Sequence, residues 1–260
     1  MNQTFYKYQG TGNDFVLIDN RENCFDTNNT ALIAKLCDRR FGIGADGLIL
    51  LEKSGKVDFK MVYFNSDGNQ STMCGNGGRC IVSFAKFLNV ISSETTFEAI
   101  DGLHFAKIDA DIVHLQMIDV SEIDNQKEFS FLDTGSPHHV QLVDNVTQFD
   151  VVKEGHQIRY SSLYKEKGGS NINFVEQTNN DSFSLRTYER GVEDETLSCG
   201  TGATATAIAM FDKGLTKSNA INLKVQGGEL KVTFKKEVNS YTNIFLIGPA
   251  TQVFKGDIIC

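Results

Sequence analysis

Two of the six cysteines stand in settings that point to chemistry rather than packing: Met73-Cys74-Gly75-Asn76-Gly77 and Ser198-Cys199-Gly200-Thr201-Gly202, each leading into an apolar run with helical spacing. The first turn of a helix offers unpaired N–H groups and the positive end of the macrodipole, and glycines let a ligand approach that backbone closely. Such an element binds a carboxylate without lysine or arginine. It also lowers a thiol pKa from about 8.5 towards roughly 3.5–7.5, so that thiolate forms near neutral pH. Two such elements make a carboxylate cradle flanked by two thiols. A thiolate that removes a proton from one face of a carbon and a thiol that returns one to the other face invert that carbon in either direction, with the developing negative charge held by fixed dipoles. No metal or organic cofactor is required in principle. Other readings of the same residues are a disulfide between the two cysteines and a zinc site from Cys74, Cys80, Cys199 and His138, although no C-x-x-C pair is present. A thiol hydrolase or transferase that pairs one cysteine with His138 is a further alternative.

The elements that must position these cysteines come in two rounds. Thr4–Tyr8 and Phe15–Asp19 read as strands, Thr30–Arg40 as a helix with Leu32, Ile33, Leu36 and Cys37 on one face and Thr30 as its N-cap, and Gly47–Leu51 and Phe59–Phe64 as strands again. A glycine-rich loop then carries Cys74, and Arg79–Leu88 is predicted to be a largely buried helix. The second half echoes the first. Thr134-Gly135-Ser136 follows Thr11-Gly12-Asn13 by 123 residues; Leu185–Tyr188 follows Lys60–Tyr63 by 125; the two cysteine loops are 125 apart; and Gly227-Gly228 answers Asp101-Gly102 at 126. The second cysteine loop runs into a helix predicted over Ala203–Phe211, closed by Gly214. The near-constant offset predicts two copies of one α+β unit, each a set of strands around one helix. Their boundaries fall at 1–118, joined by a returning C-terminal segment 251–260, and at 119–250. Gly42-Ile43-Gly44-Ala45-Asp46-Gly47 matches G-x-G-x-x-G, but the helix precedes it and the strand follows. That is the reverse of a dinucleotide fingerprint, and the segment reads as a tight helix-to-strand connection.

With 260 residues and 40% hydrophobic composition the chain holds enough apolar mass for a sizeable core. A net charge of −8 argues against a nucleic-acid surface. No apolar run reaches the ~18–20 residues that span a bilayer, and Met1–Tyr6 has no signal-peptide character. Sparse cysteines point to free thiols in a reducing cytoplasm. Cys37 and Cys80 read as packing residues, and Cys24 and Cys260 carry no assigned role.

Beyond the cysteine motifs, several blocks are shared with a known family. They are Thr11-Gly12-Asn13-Asp14-Phe15, Arg40–Gly47, Phe64-Asn65-Ser66-Asp67-Gly68, Gly135-Ser136-Pro137-His138, Tyr188-Glu189-Arg190-Gly191-Val192 and Thr196–Gly202, with Gly248-Pro249-Ala250 and Val253–Gly256 near the end. In this combination the chain resembles the diaminopimelate epimerases over residues 11–256. The resemblance implies an α+β fold of two pseudo-symmetric domains, each a curved, mostly antiparallel, barrel-like sheet around a central helix, with the active site in the interdomain cleft. It implies cofactor-independent interconversion of LL- and meso-2,6-diaminopimelate, towards lysine and peptidoglycan, by a homodimer. By the same match Cys74 and Cys199 are the acid/base pair, and His138 and Glu189 sit beside the thiols. Asn13, Asn65, Asn171, Glu189 and Arg190 contact substrate, and Gly75, Asn76, Gly200 and Thr201 hold the reacting carboxylate. Amide side chains suit a substrate with two ammonium and two carboxylate groups, and Arg190 offers a bidentate fork for the distal carboxylate. Two positions depart from the pattern. Many members carry Asn where this chain has Ser136, a shorter residue with one donor fewer that still fits a contact; some carry Gln where Gly47 stands. The neighbouring proline and hydroxyproline racemases resemble Met-Cys-Gly-His-Gly at the first cysteine, and here Asn76 takes the histidine position.

Overall fold

The computed structural model describes residues 2–259; Cys260 lies outside them. The chain forms two compact units, one of the residues up to Leu115 together with those from Gly248 onward, the other Gln116–Ile247. Unit 1 contains β1 (Asn2–Gly10), β2 (Asn13–Asp19), α1 (Thr30–Cys37), β3 (Gly47–Glu52), β4 (Phe59–Asn65), β5 (Gln70–Ser71), α2 (Gly75–Phe87), β6 (Glu94–Ala99), β7 (Gly102–Asp109) and β8 (Ile112–Gln116). Unit 2 contains β9 (Ile123–Asn125), β10 (Phe129–Asp133), β11 (Pro137–Leu142), α3 (Val151–Arg159), β12 (Asn171–Asn179), β13 (Ser182–Glu189), β14 (Asp194–Thr196), α4 (Gly200–Asp212), β15 (Ala220–Val225), β16 (Gly228–Lys236) and β17 (Tyr241–Pro249). The chain then returns to unit 1 as β18 (Thr251–Ile259), antiparallel to β1.

The pairing plan is the same in both units. In unit 1, β1–β2, β3–β4, β4–β5, β6–β7 and β7–β8 are antiparallel, whereas β2–β3 and β4–β6 are parallel. In unit 2, β10–β11, β12–β13, β13–β14, β15–β16 and β16–β17 are antiparallel, whereas β11–β12 and β13–β15 are parallel. Each parallel step needs a crossover, and those crossovers carry α1 and α2 in one unit, α3 and α4 in the other. The apolar runs Phe15–Ile18 and Leu48–Leu51 are buried along their whole length, as strands covered on both faces must be. They form the parallel pair from Phe15 opposite Gly47 to Asp19 opposite Leu51. α4 is buried almost all round and touches β10, β11, β12, β13, β15 and β16. A helix without a polar face has to be wrapped in this way. α2 packs on β1, β2, β3, β7 and β18 through Ile81, Val82, Phe84 and Ala85.

The β1–β2 hairpin turns on Thr11 (φ 50°) and Gly12 (φ 94°), two left-handed residues of the kind that match the twist of the flanking strands. That conformation is costly for a β-branched residue. The hairpins β6–β7 and β15–β16 are equally short, pairing Ala99 with Gly102 and Val225 with Gly228, but there the positive φ falls on the glycine that opens the returning strand, Gly102 (126°) and Gly228 (143°).

The elements differ from the sequence expectation mainly at their ends. Asn29, not Thr30, caps α1, accepting the N–H of Leu32 at 3.0 Å. The helix stops at Cys37 rather than Arg40, because Asp38 turns extended and its carboxylate takes the N–H groups of Arg40 and Phe41, both at 2.7 Å. α2 and α4 begin at Gly75 and Gly200, earlier than Arg79 and Ala203, so the glycine segments are the first helical turns and not loops. Gly42–Gly47 joins α1 to β3. No helix among the described residues is long and apolar enough to cross a membrane.

Candidate active site

In unit 1 the cysteine is the N-cap itself. Cys74 holds extended backbone angles and its Sγ accepts the Gly77 N–H at 3.2 Å. Sulfur is a weak acceptor as a thiol and a better one as thiolate. A Cβ at Gly77 would stand 3.2 Å from that Sγ, so glycine there leaves the sulfur its place. Asn76, buried in the first turn, donates through Nδ2 to Asn13 Oδ1 at the start of β2, and Asn13 Nδ2 donates to Asp46 Oδ2 at 3.0 Å. Asp46 belongs to a compact charge cluster: Lys7–Asp14 at 2.7 Å, Arg39–Asp14 at 2.7 Å and Arg39–Asp46 at 2.8 Å. Burial pushes the Asp14 carboxyl up, yet Arg39 and Lys7 together hold it down at about 2. Cys74, Gly75, Asn76 and Asn13 are thus brought together. Asn65 is exposed at the end of β4, where its backbone closes a turn with Gly68 and Asn69, and no hydrogen bond joins its side chain to Asn13 or Asn76.

In unit 2 Cys199 occupies the N-cap position of α4, but its side chain caps no helical N–H. Its Sγ lies 3.5 Å from Thr201 Oγ1, and the Thr201 carbonyl accepts the Thr134 hydroxyl at 2.9 Å. Ser136, Asn171 and Arg190 form one cluster. Asn171 Nδ2 donates to Ser136 Oγ at 2.8 Å and to the Pro137 carbonyl at 3.0 Å, its Oδ1 accepts the Arg190 N–H at 2.9 Å, and Arg190 Nη2 reaches Ser136 Oγ at 3.5 Å. Glu189 ends β13 and accepts the Thr196 hydroxyl at 2.8 Å.

His138 is fully buried on β11. Asn173, a residue the sequence reading passed over, determines its tautomer. Asn173 Nδ2 donates to the His139 carbonyl at 2.8 Å and its Oδ1 accepts the Thr187 hydroxyl at 2.9 Å, which fixes the amide orientation. The same Nδ2 stands 3.1 Å from His138 Nδ1, so Nδ1 accepts and the ring proton sits on Nε2. Burial, reinforced by the charge of Arg190, pushes the imidazole down to about 3, so it is neutral at physiological pH. Nε2 is buried without a hydrogen-bond partner among the described residues, a donor held ready. Asn173 also meets α4: a Cβ on Gly202 would fall 2.5 Å from Asn173 Oδ1 and 3.3 Å from Cys199 Sγ. The signal for Asn173 was its i+2 spacing from Asn171 on one strand face. The other residue missed is Arg79, treated only as the start of a helix. It is wholly buried, and its bonds run to Gly75, Asn76, Thr11 and Pro249.

Comparison with known proteins places this geometry in a family. The family model described as Diaminopimelate epimerase matches residues 5–117 and 130–253. A diaminopimelate epimerase of Flavobacterium psychrophilum is 66% identical, the match covering 97% of this chain and 99% of the relative. One of Chlorobaculum tepidum is 44% identical over 96% and 98%. Among solved structures, a PhzF-family phenazine biosynthesis protein of Bacillus anthracis superposes with a TM-score of 0.78 at 13% identity over the whole of both chains. A hydroxyproline epimerase of Agrobacterium vitis, with bound trans-4-hydroxy-L-proline, gives 0.71 at 14% identity over 99% of this chain and 92% of that one. At such identities these neighbours show a shared fold. The match at 66% over nearly the full length shows more: the chain belongs to the diaminopimelate epimerase family.

Proposed function

We propose that the chain interconverts LL- and meso-2,6-diaminopimelate without a cofactor, using Cys74 and Cys199 as a two-base pair. The observation that carries the reading is the duplicated element: in each unit a glycine-flanked cysteine stands at the N-cap of a buried 13-residue helix. One thiolate takes the Cα proton, the other thiol returns a proton to the opposite face, and the pair ends with its protonation states exchanged, ready for the reverse reaction. Between the two transfers the substrate carboxylate carries enolate charge. The N–H groups at Gly75, Asn76, Gly200 and Thr201 supply preorganised donors for it. The Nε2–H of His138 and the carboxylate of Glu189 act beside the thiols. Asn13, Asn65, Ser136, Asn171 and Arg190 recognise the substrate's ammonium and distal carboxylate groups, with the linked Ser136–Asn171–Arg190 cluster suited to the charged distal end. The protein works as a cytoplasmic homodimer on this small-molecule substrate.

The test is exchange at Cα in D2O, followed by NMR from each isomer separately. The wild-type protein is expected to wash deuterium into Cα while epimerising. Cys74→Ala and Cys199→Ala are each expected to lose ~10³-fold or more in epimerisation, within the range that positioned acids and bases contribute. Full epimerisation by either variant eliminates the two-base mechanism. Turnover of proline or hydroxyproline with none of diaminopimelate moves the protein to the other substrate class.

A further inference from the structure

Arg79 has no carboxylate partner among the described residues. It is 0% exposed in the second turn of α2, and its guanidinium donates only to neutral groups: Gly75 O at 3.1 Å, Asn76 Oδ1 at 2.9 Å, Thr11 Oγ1 at 3.0 Å and Pro249 O at 3.4 Å. None of the ion pairs among the described residues includes it. Burial pushes it down, but only to about 10, so the cation persists at neutral pH. A buried charge left uncompensated is strongly destabilising, and fold economy alone does not explain one here. Thr11 adds a second sign of enforced geometry, since a β-branched residue is held at φ 50° with its hydroxyl against the guanidinium.

The charges reached through Asn13 are already matched, Asp14 and Asp46 being engaged by Lys7 and Arg39. Two thiols flank Arg79: Cys80 follows it in the chain, and Cys74, the N-cap of the same helix, directly precedes Gly75, whose carbonyl the guanidinium binds. Cys80 is wholly buried, which drives its thiol far up and keeps it protonated. Cys74 is half-buried and its sulfur already accepts a backbone N–H. The corresponding position on α4, 125 residues on, is Thr204, a neutral residue whose hydroxyl donates to Gly200 O at 3.0 Å. Of the charged and titratable side chains near that helix's first turn, His138 is neutral, Arg190 is exposed, and Glu189, a carboxylate at the end of β13 bound by the Thr196 hydroxyl, adds negative charge and no cation.

We propose that Arg79 is a positioning residue whose buried charge holds Cys74 as the thiolate of the substrate-free protein, leaving Cys199 as the protonated partner. This rests on the two-base reading for its place in catalysis, but its test does not need turnover. Alkylation by iodoacetamide is followed at Cys74 and Cys199 by mass spectrometry as a function of pH, without substrate. Cys74 is expected to react with a midpoint well below 8.5 and Cys199 with one near or above it. Arg79→Gln, which keeps donors and removes the charge, is expected to raise the Cys74 midpoint by about one unit, a roughly tenfold slower reaction at pH 7. Arg79→Lys should restore part of it, and Cys199 should not move in either variant. An unchanged Cys74 profile in a folded Arg79→Gln protein overturns the proposal. So does a higher substrate KM with unaltered thiol reactivity, which would assign the charge to the substrate carboxylate. Should both variants fail to fold, thiolate absorbance near 240 nm in Cys199→Ser and Cys74→Ser decides: the low-pH step must survive in the first and vanish in the second. A normal thiol profile in a protein that still epimerises rejects only this inference. A low Cys74 midpoint in a protein that does not turn over diaminopimelate rejects only the function.

Discussion

The N-termini of α2 and α4 are built from the same motif and finished differently. At α2 the sulfur accepts a backbone N–H, the residue two places on is an amide locked to Asn13, and a buried guanidinium stands five residues along. At α4 the sulfur faces a threonine hydroxyl, Thr204 replaces the guanidinium, and His138 is held as a neutral donor by Asn173. Duplication supplies two helix termini, and each is then tuned through residues outside the Cys-Gly-x-Gly segment. Under the two-base proposal, that difference in surroundings decides which sulfur rests as thiolate and which as thiol before substrate binds.

The sharpest way to break the comparison is to load both helices with the same small perturbation. Ala at Gly202 places its methyl 2.5 Å from Asn173 Oδ1, and Asn173 is tied by three hydrogen bonds, to His138 Nδ1, the His139 carbonyl and the Thr187 hydroxyl, so it cannot yield without breaking at least one of them. Ala at Gly77 meets Cys74 Sγ and Ile49 Cδ1, both at 3.2 Å, and a shift of a few tenths of an ångström relieves it. Gly202→Ala is therefore expected to cost on the order of 10²-fold in kcat/KM, the scale of a misplacement near 1 Å, and Gly77→Ala roughly tenfold or less. Equal losses in kinetic assays of the two folded variants would show that the Asn173 contact does not set the geometry of α4's first turn.

A smaller effect is expected from Asn173→Ala. It removes the donor that assigns the His138 proton to Nε2, and kcat should fall roughly tenfold, with KM less affected, as for a lost group that orients rather than binds. The distinguishing readout is ¹⁵N NMR of the ring. In the native protein Nδ1 should be the unprotonated nitrogen and Nε2 the protonated one, and the variant should lose that preference. A native Nδ1–H would refute the hydrogen-bond assignment whatever the kinetics show.

What could be read in advance, and what could not, follows from the physics of each residue. The repeat was legible because turn chemistry is local: Thr11-Gly12, Asp101-Gly102 and Gly227-Gly228 mark hairpins in any context. The apolar runs at Phe15–Ile18 and Leu48–Leu51 likewise announce doubly covered strands. Helix starts were misplaced because Gly75, Gly77 and Gly78 are poor helix formers in isolation, and only the burial of that turn against β1 and β2 makes them helical. Both cysteines and most polar site residues stand in recognisable motifs. Arg79 does not, because a charged residue in a helix normally marks the solvated face, and only the packed structure shows it wholly buried among neutral acceptors. Asn173 needed the strand register: its partners lie on β11 and β13.

The two units should also separate in acid, and by a modest margin. In unit 2, burial pushes His138 to about 3 and, despite the bond to Gln141, His139 to about 4. An unfolded chain takes up these protons near pH 6.5. Between there and pH 4 the unfolded state therefore binds more protons than the folded one, so the stability of this unit falls as pH is lowered through that window. In unit 1 burial raises the Asp14 carboxyl, but Arg39 and Lys7 prevail and hold it at about 2, so its contribution is complete above the unfolded value near 3.9 and is lost only below it. Hydrogen exchange at pH 5 compared with pH 7.5, after correction for intrinsic rates, is expected to show protection declining first in the peptides of β11, β12 and α4, with those of β1, β2 and α2 following only under stronger acid. Simultaneous loss would mean that the buried imidazoles are protonated in the folded protein. It would equally remove the case for His138 as a neutral Nε2–H donor beside α4.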